Sequence, residues 1–408
     1  MKIITKNWGE VDAWKIGSYL DAGGYEALGE ALGKKPAQEV VEEMEKSGLQ
    51  GRGGAGFPTG KKWSIAAGAS SEEKYVICNL DESEPGNFKD KSIAENDPHR
   101  IIEGLVLAAY AIGANKGFIY LNGNFYEAGK ILEKAIADAY EKNFLGQKIT
   151  GSDFGFDLEI FYGAGAYICG EESALINSIE GKRGEPRNKP PFPCECGLFG
   201  KPTLVNNAET LANAAWIMKN GPKEFAKLGV KDSPGTKLFC IDGAVKYPGL
   251  YEAEIGASVE DLVELAGGAR VGCEIGLVQV GGSSGRVLDG ASLGKAPGYG
   301  KQAELAMGSG SLLVIDKHQS VKKLLQSWID FFQRESCGKC VPCREGTFRL
   351  KGIIERLNNG NFDKNDKEDL KKLVWVLDNT TFCPLGKFSV TGLKDVMELG
   401  LVRELKYD

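Results

Sequence analysis

Three cysteines at two-residue spacing, Cys337-Gly338-Lys339-Cys340-Val341-Pro342-Cys343, are followed far downstream by Cys383, directly before Pro384. A run of this kind with a distant cysteine–proline pair is a ligand set for a cubane 4Fe–4S cluster, which moves single electrons. Four thiolates could also hold zinc in a non-catalytic scaffold, although structural zinc sites usually take paired C-x₂₋₄-C knuckles, not a close triple. A one-electron centre needs a source or a sink, and three upstream segments are candidates.

The first segment is Gly51-Arg52-Gly53-Gly54-Ala55-Gly56-Phe57-Pro58-Thr59-Gly60. It contains a formal G-x-G-x-x-G, but a helix precedes it where a dinucleotide fingerprint requires a strand. What survives is the backbone physics: clustered glycines let several N–H groups converge on a phosphate or a flat ring. Lys62 lies just beyond and adds a point charge; the bland alternative is a flexible turn. The second segment, Gly163 to Ser173, follows a strand ending at Tyr162 and opens a helix through Ile179. That arrangement offers the free N–H groups of a helix start to a ligand. Glu171 and Glu172 there suit sugar or ribityl hydroxyls better than a phosphate, or simply cap the helix. The third, Asn79-Leu80-Asp81-Glu82-Ser83-Glu84-Pro85-Gly86, leaves the C-terminal end of a strand, where ligands of α/β sheets bind. Its bland alternative is a solvated acidic turn.

Composition narrows the chemistry. The chain has 408 residues, 42% of them hydrophobic, enough for several domains with real cores. Only His99 and His318 are histidines, so histidine acid–base or Ser-His-Asp chemistry is disfavoured, whereas hydride and electron transfer need neither. Fifty basic and 56 acidic residues are well mixed, for a net charge of −6, which argues against a nucleic-acid footprint. The most apolar stretch, Ile101 to Leu121, is interrupted by Glu103, Asn115 and Lys116, so no membrane span is indicated. The N-terminus turns polar too soon for a secretory signal, and ten cysteines then read as ligands and reduced thiols in the cytoplasm. Cys78, Cys169, Cys194, Cys196, Cys240 and Cys273 lack ligand spacing apart from the Cys194–Cys196 pair, and read as small buried hydrophobes.

These residues require elements to hold them. Residues 1–50 read as a helical lead-in, with Pro36 at a helix start and Gly48 past its end. Tyr75–Leu80, Phe118–Leu121 and Leu158–Tyr162 read as strands alternating with helices that begin at Asp97-Pro98 and around Ile131. Such alternation predicts an α/β sheet with helices on its faces, over 51–235. From 236 to 319, short strands at 238–241, 250–253, 277–280 and 312–315 surround a helix at 258–265, predicting a small α+β module. From 320 to 408 the pattern is helical, at 321–332, 345–357, 366–377 and 390–399, with the ligand cysteines between the helices.

Taken together, Gly51–Trp63, Asn79–Asp90, Gly163–Pro193, Leu204–Leu211, Glu335–Thr347 and Cys383-Pro384-Leu385-Gly386 resemble the NADH-oxidising flavoprotein subunit of respiratory complex I. The same motifs occur in its relatives, the diaphorase subunits of NAD-dependent or bifurcating hydrogenases and formate dehydrogenases. The resemblance covers nearly the whole chain. It implies a Rossmann-like FMN domain, then a ubiquitin-like (β-grasp, SLBB) domain, then a helical-bundle 4Fe–4S domain. It also implies that NADH passes hydride to FMN and that electrons leave singly through the cluster on Cys337, Cys340, Cys343 and Cys383. By position, FMN is expected against Gly51, Arg52, Gly53, Gly54 and Lys62, with Asn79, Asp81 and Glu82 around the ring and ribityl chain. Tyr167, Gly170, Glu171 and Glu172 form the other wall, and Asn206, Asn207 and Thr210 reach the phosphate end. NADH is expected between Phe57 and Phe192, near Glu84 and Lys189. An acidic ring of this kind predicts NAD over NADP, whose extra phosphate it would repel.

The implied partners are a thioredoxin-like 2Fe–2S subunit and a larger iron–sulfur catalytic subunit of hydrogenase, formate dehydrogenase or complex I type. A free-standing diaphorase is the alternative within the enzyme class. Pro193-Cys194-Glu195-Cys196-Gly197 departs from the pattern, since relatives usually lack cysteine there, and reads as incidental. The extra N- and C-terminal cluster domains of many bifurcating relatives have no counterpart in the sequence, which leaves the electron path beyond Cys337 to another polypeptide.

Overall fold

A computed structural model describes residues 1–300 and 303–406. Strands β1 (Tyr75–Leu80), β2 (Lys116–Asn122), β3 (Asp157–Gly163) and β4 (Thr203–Asn207) form a parallel sheet in the order β3-β2-β1-β4. In β1, Val76, Ile77, Cys78 and Leu80 are fully buried, as expected of a parallel strand covered on both faces. The helix Pro98–Ile112 begins on a proline, ends on Gly113 in the left-handed region, and is buried at every residue except Tyr110. A helix buried on every face is an interior helix, and this one sits in the middle of the largest core. Strand β4 was not foreseen. Thr203-Leu204-Val205-Asn206-Asn207 has too short an apolar run to read as a strand, and it becomes one by pairing with the distant β1. Because β2 and β4 flank β1 on opposite sides, the strand order reverses there, and the ends of β1 and β4 mark the switch point where sheets of this kind hold their ligands.

The first fifty residues join this same core, with Ile3, Ile4, Leu28, Val40, Val41 and Met44 all buried. The N-terminal arm is anchored on Glu252: the N–H groups of Ile3, Ile4 and Thr5 donate to it at 2.7, 2.9 and 2.8 Å.

Glu252 belongs to the second unit. Its strands β5 (Thr236–Gly243), β6 (Gly249–Glu254), β7 (Ile275–Val280), β8 (Arg286–Asp289) and β9 (Ser311–Asp316) make a five-stranded sheet ordered β8-β7-β9-β5-β6. Only β5 and β9 are parallel within it. The helix Val259–Leu265 packs on the sheet behind a reciprocal Ser258/Asp261 capping box. Strand β8 also escaped the sequence reading, having only Val287 and Leu288 as apolar residues. The third unit is helical: Val321–Glu335, Val341–Asn358, Lys364–Thr380, Pro384–Phe388 and Thr391–Glu398. The second of these starts four residues before the expected Glu345, because Pro342 fits a first helical turn whose N–H groups lack partners in any case.

Asp97, between the helices Lys89–Asn96 and Pro98–Ile112, is fully buried, and neither carboxylate oxygen has a hydrogen-bond partner among the described residues. Burial lifts its carboxyl to about 7, with Arg100 opposing and Glu103 adding. The folded value lies above the unfolded one, so the stability of the protonated form is complete below about pH 4 and is lost as pH rises through about 7. Asp97→Asn is therefore expected to gain on the order of 1–3 kcal/mol at pH 8 and to flatten the stability profile below pH 7 in chemical denaturation. An unchanged profile would show that Asp97 does not titrate in this range.

Candidate flavin, nucleotide and cluster site

The glycine turn lies between the helices Ala37–Ser47 and Thr59–Gly68 and is pinned at both ends. Gly51 N–H donates to Phe57 O at 2.9 Å, and Arg52 N–H to Thr210 Oγ1 at 2.8 Å. A side chain at Gly53 would place its Cβ 3.1 Å from the Cβ of Asn207, so the turn approaches the end of β4 backbone first. The Arg52 side chain, expected at the flavin, is instead buried away from the turn. Its guanidinium donates to Pro234 O at 2.7 Å and lies over the Tyr299 ring, so it staples the turn to the second unit. An arginine with carbonyl and aromatic partners is driven into such a junction by its stem as well as its charge.

Beyond β1, Asn79 fixes the acidic strip. Its Nδ2 donates to Gly170 O at 2.9 Å and its Oδ1 accepts from Asp81 N–H at 3.1 Å. Asp81 Oδ2 and Glu82 Oε1 are buried and have no hydrogen-bond partner among the described residues. Burial raises Asp81 to about 7, against a hydrogen bond from Ser83, and raises Glu82 to about 8, with Asp90 adding. Two orphaned buried carboxylate oxygens beside a backbone cradle are what a ligand bearing N–H and O–H donors would complete, and FMN fits that description. Burial also raises Glu84, opposed by hydrogen bonds from serines of the second unit.

The opposite wall differs from the sequence expectation. A 3₁₀ turn, Tyr167–Gly170, precedes the helix Glu172–Ile179, and the side chain of Glu171 caps that helix, accepting from Ser173 N–H and Ala174 N–H at 3.0 Å each. The plain capping alternative is therefore correct for Glu171, and those amides are not free for a ligand. Glu172 accepts from Lys62 at 2.7 Å and Lys189 at 3.2 Å, while Lys189 also donates to Glu171 at 2.7 Å. Burial would raise Glu172, but the two lysines hold it below the usual carboxylate range. Four alternating charges thus neutralise one another, which removes most of the expected repulsion of an NADP phosphate.

Asn206, Asn207 and Thr210 lie at the end of β4 or just past it, yet their side chains bind protein. Asn206 Oδ1 accepts from Trp63 Nε1 at 2.9 Å, and Asn207 Nδ2 donates to Asp90 at 2.7 Å. Behind Asn207 lies a buried charge cluster. Lys89 contacts Asp90 at 2.7 Å and Glu209 at 3.2 Å, and Glu209 also pairs with Lys237 of β5. Phe57 and Phe192 are 46% and 53% exposed, so both rings are open to a planar ligand.

Cys337, Cys340, Cys343 and Cys383 line one cavity together with Ile168, Lys339, Phe382 and Leu385. Cys340 and Cys383 stand at the N-caps of the helices Val341–Asn358 and Pro384–Phe388, where the positive end of the dipole favours a thiolate. Burial pushes Cys383 up to about 11 and also raises Cys343, a cost that bound iron would offset. Among the described residues no three ligating side chains close on a point that one ion could occupy. The four cysteines share the lining of that one cavity. The two halves of the site share the 3₁₀ turn. Its Ile168 lines the cysteine cavity, its Gly170 is held by Asn79 at the acidic strip, and its Tyr167 N–H donates to Glu335 at 2.9 Å. Sequence reasoning did not single out Ile168 and Glu335 as site residues, although both lie in the matching runs Gly163–Pro193 and Glu335–Thr347, because neither side chain by type suggests a ligand contact there.

Three family models match in series: the Nuo51 FMN-binding domain over residues 44–216, the SLBB domain over 238–288 and the NADH-ubiquinone oxidoreductase-F iron–sulfur binding region over 323–399. An NADH-quinone oxidoreductase subunit of Rhizobium meliloti (strain 1021) is 44% identical over 97% of this chain and 95% of its own length. The chain belongs to the Nuo51 flavoprotein family. NADP-reducing hydrogenase subunit HndC of Solidesulfovibrio fructosivorans is also 44% identical, over 95% of this chain and 79% of that one. Among solved structures, an NAD⁺-reducing [NiFe]-hydrogenase in the H₂-reduced state superposes with a TM-score of 0.86 at 36% identity. The match covers 95% of this chain and 65% of that one. This Nuo51 homologue is thus a flavoprotein oxidoreductase subunit that works with NADH, FMN and a 4Fe–4S cluster, and the zinc scaffold is set aside. When bound, FMN supplies hydride acceptance and one-electron release, and the cluster supplies one-electron carriage. The protein's part is to hold, orient and insulate. Its relatives are subunits of larger complexes, and no helix of the described residues is long and apolar enough to cross a membrane.

Proposed function

We propose that this subunit takes hydride from NADH at the ends of β1 and β4 and sends electrons to the cysteine cavity through the turn Tyr167–Gly170. The observation carrying this is the double role of that turn, with Gly170 bonded to Asn79 and Ile168 against the cluster ligands. In this reading Gly51, Gly53, Gly54 and the backbone of Arg52 cradle FMN, while Asn79, Asp81 and Glu82 meet its ring and ribityl chain. Tyr167, Gly170, Glu171, Glu172 and Lys62 form the facing wall, and Asn206, Asn207 and Thr210 shape the phosphate end. Phe57 and Phe192 flank the adenine, where stacking contributes roughly 1–3 kcal/mol by analogy with nucleic-acid bases. Glu84 and Lys189 lie near the nicotinamide half, and Cys337, Cys340, Cys343 and Cys383 ligate the cluster. The test is anaerobic reconstitution: one FMN per chain, bleached by NADH, with the cluster reduced in the same titration. Absence of flavin from iron-replete protein, or a chromophore that NADH leaves unchanged, would overturn the reading.

The proposed donor is NADH in preference to NADPH, for a reason other than acidic repulsion. Lys62 and Lys189 are already paired with Glu172 and Glu171, so neither is free to meet an additional phosphate. We expect kcat/KM to favour NADH by at least about tenfold, the scale of one unmatched charged contact; equal efficiencies would contradict it. The proposed partners are a thioredoxin-like 2Fe–2S subunit and a larger iron–sulfur catalytic subunit in the cytoplasm. Co-purification from native extract distinguishes this from a free-standing diaphorase.

A further inference from the structure

We infer that Ser284, in the second unit, is a positioning residue that aims the carboxylate of Glu84 into the nucleotide site. This rests on the reading of Glu84 as an NADH contact. The acidic strip does not stand alone beyond β1. At alternate residues it is hydrogen-bonded to the second unit: Ser284 N–H and Oγ donate to Glu84 Oε1 at 3.2 and 3.1 Å, Ser311 Oγ donates to Gly86 O at 3.3 Å, and Phe88 N–H donates to Cys240 Sγ at 3.3 Å. Ser284 lies in the turn Gly281-Gly282-Ser283-Ser284-Gly285 between β7 and β8, a motif the flavin and cluster assignments leave unused. That turn is shaped for close approach. Gly282 has φ +85, and a Cβ there would lie 2.3 Å from Glu84 Cδ.

Both Ser284 hydrogen bonds fall on Oε1, and Ser309 and the Ser283 N–H also bond the carboxylate, so the serine turn fixes its direction, which suits a sugar hydroxyl on a nucleotide lying across the flavin. The ubiquitin-like unit is thereby part of the nucleotide site, supplying orientation to a carboxylate that the sheet domain carries. The Ser284 hydroxyl also lies within hydrogen-bond reach of Tyr167 in the facing wall, so cofactor loading is read beside NADH binding in every variant.

The experiment uses the flavin- and cluster-loaded chain, with NADH as donor and ferricyanide as acceptor, comparing Ser284→Ala, Ser284→Thr and Glu84→Gln. Loss of one hydrogen bond to a charged acceptor should raise the KM for NADH about tenfold in Ser284→Ala. The turnover number should stay within about twofold of the parent, the signature of lost uniform binding. Ser284→Thr, which keeps the hydroxyl, should restore the KM; visible and EPR spectra report cofactor loading in each variant. If Glu84→Gln raises the KM and Ser284→Ala does not, the positioning role is wrong while the nucleotide reading stands. If neither variant changes the KM, Glu84 is not an NADH contact and the inference falls with that reading.

Discussion

Cys383→Ala is expected to yield protein that keeps its flavin and is still bleached by NADH, but that has lost its iron and its ability to reduce a one-electron partner. Cys383 is the one proposed ligand from outside the close triple, and it lines the cavity from the start of the helix Pro384–Phe388. Without it three thiolates remain, and the rest of the cavity lining, Ile168, Lys339, Phe382 and Leu385, offers no replacement ligand for the fourth corner of a cubane. Removing groups that merely orient ligands costs roughly 10–100-fold in metal affinity, so loss of a ligand should cost at least about 100-fold. The flavin side should survive, because its fixed points, from Gly51 to Thr210, belong to the sheet domain and its core. Iron content, the EPR signal of the reduced cluster and NADH–ferricyanide activity separate the two functions. Full iron occupancy in the variant would remove Cys383 from the ligand set.

Lys237→Met is expected to lower stability by about 3–5 kcal/mol, the usual effect of taking one partner from a buried ion pair. Lys237 and Glu209 are both fully buried where β5 meets the sheet domain, and Glu209 also accepts from Leu238 N–H at 2.9 Å. Burial pulls Lys237 down to about 8, against the attraction of Glu209, which shows how finely the pair is balanced. With the ammonium gone, Glu209 leans on Lys89, which already serves Asp90 at 2.7 Å and reaches Asn207 at 3.5 Å. The disturbance should therefore reach the end of β4, so flavin retention falls together with the melting temperature. A shift of roughly 6–20 °C follows from the scaling for large domains. Thermal unfolding and flavin fluorescence in Lys237→Met, and in Lys237→Met with Glu209→Gln, test it. The double variant should recover much of the loss, because no uncompensated charge remains. A single variant that melts like the parent would mean that the pair is not buried in solution.

Much of this protein was legible in its amino-acid order. The cysteine spacing set the cluster, since ligand number and reach are local properties of a chain. Strand β1 and the helices Ala37–Ser47 and Pro98–Ile112 appeared with nearly the bounds expected, because an uninterrupted apolar run and a proline-to-glycine frame are local signals. The order of three domains followed from the change in periodicity along the chain. Tertiary structure decided which atoms are available. Arg52 turns its charge from the turn to Pro234 and Tyr299, Glu171 caps its own helix, and Lys62 and Lys189 neutralise the wall that sequence alone made acidic. It also created β4, whose pairing with β1 makes the switch point, and it brought Ser284 against Glu84 from a position far along the chain. Residue type and spacing state which groups a chain can offer. Burial and hydrogen bonding between distant segments settle which of them face a ligand, because a buried charge or donor must first be satisfied by whatever the fold places beside it.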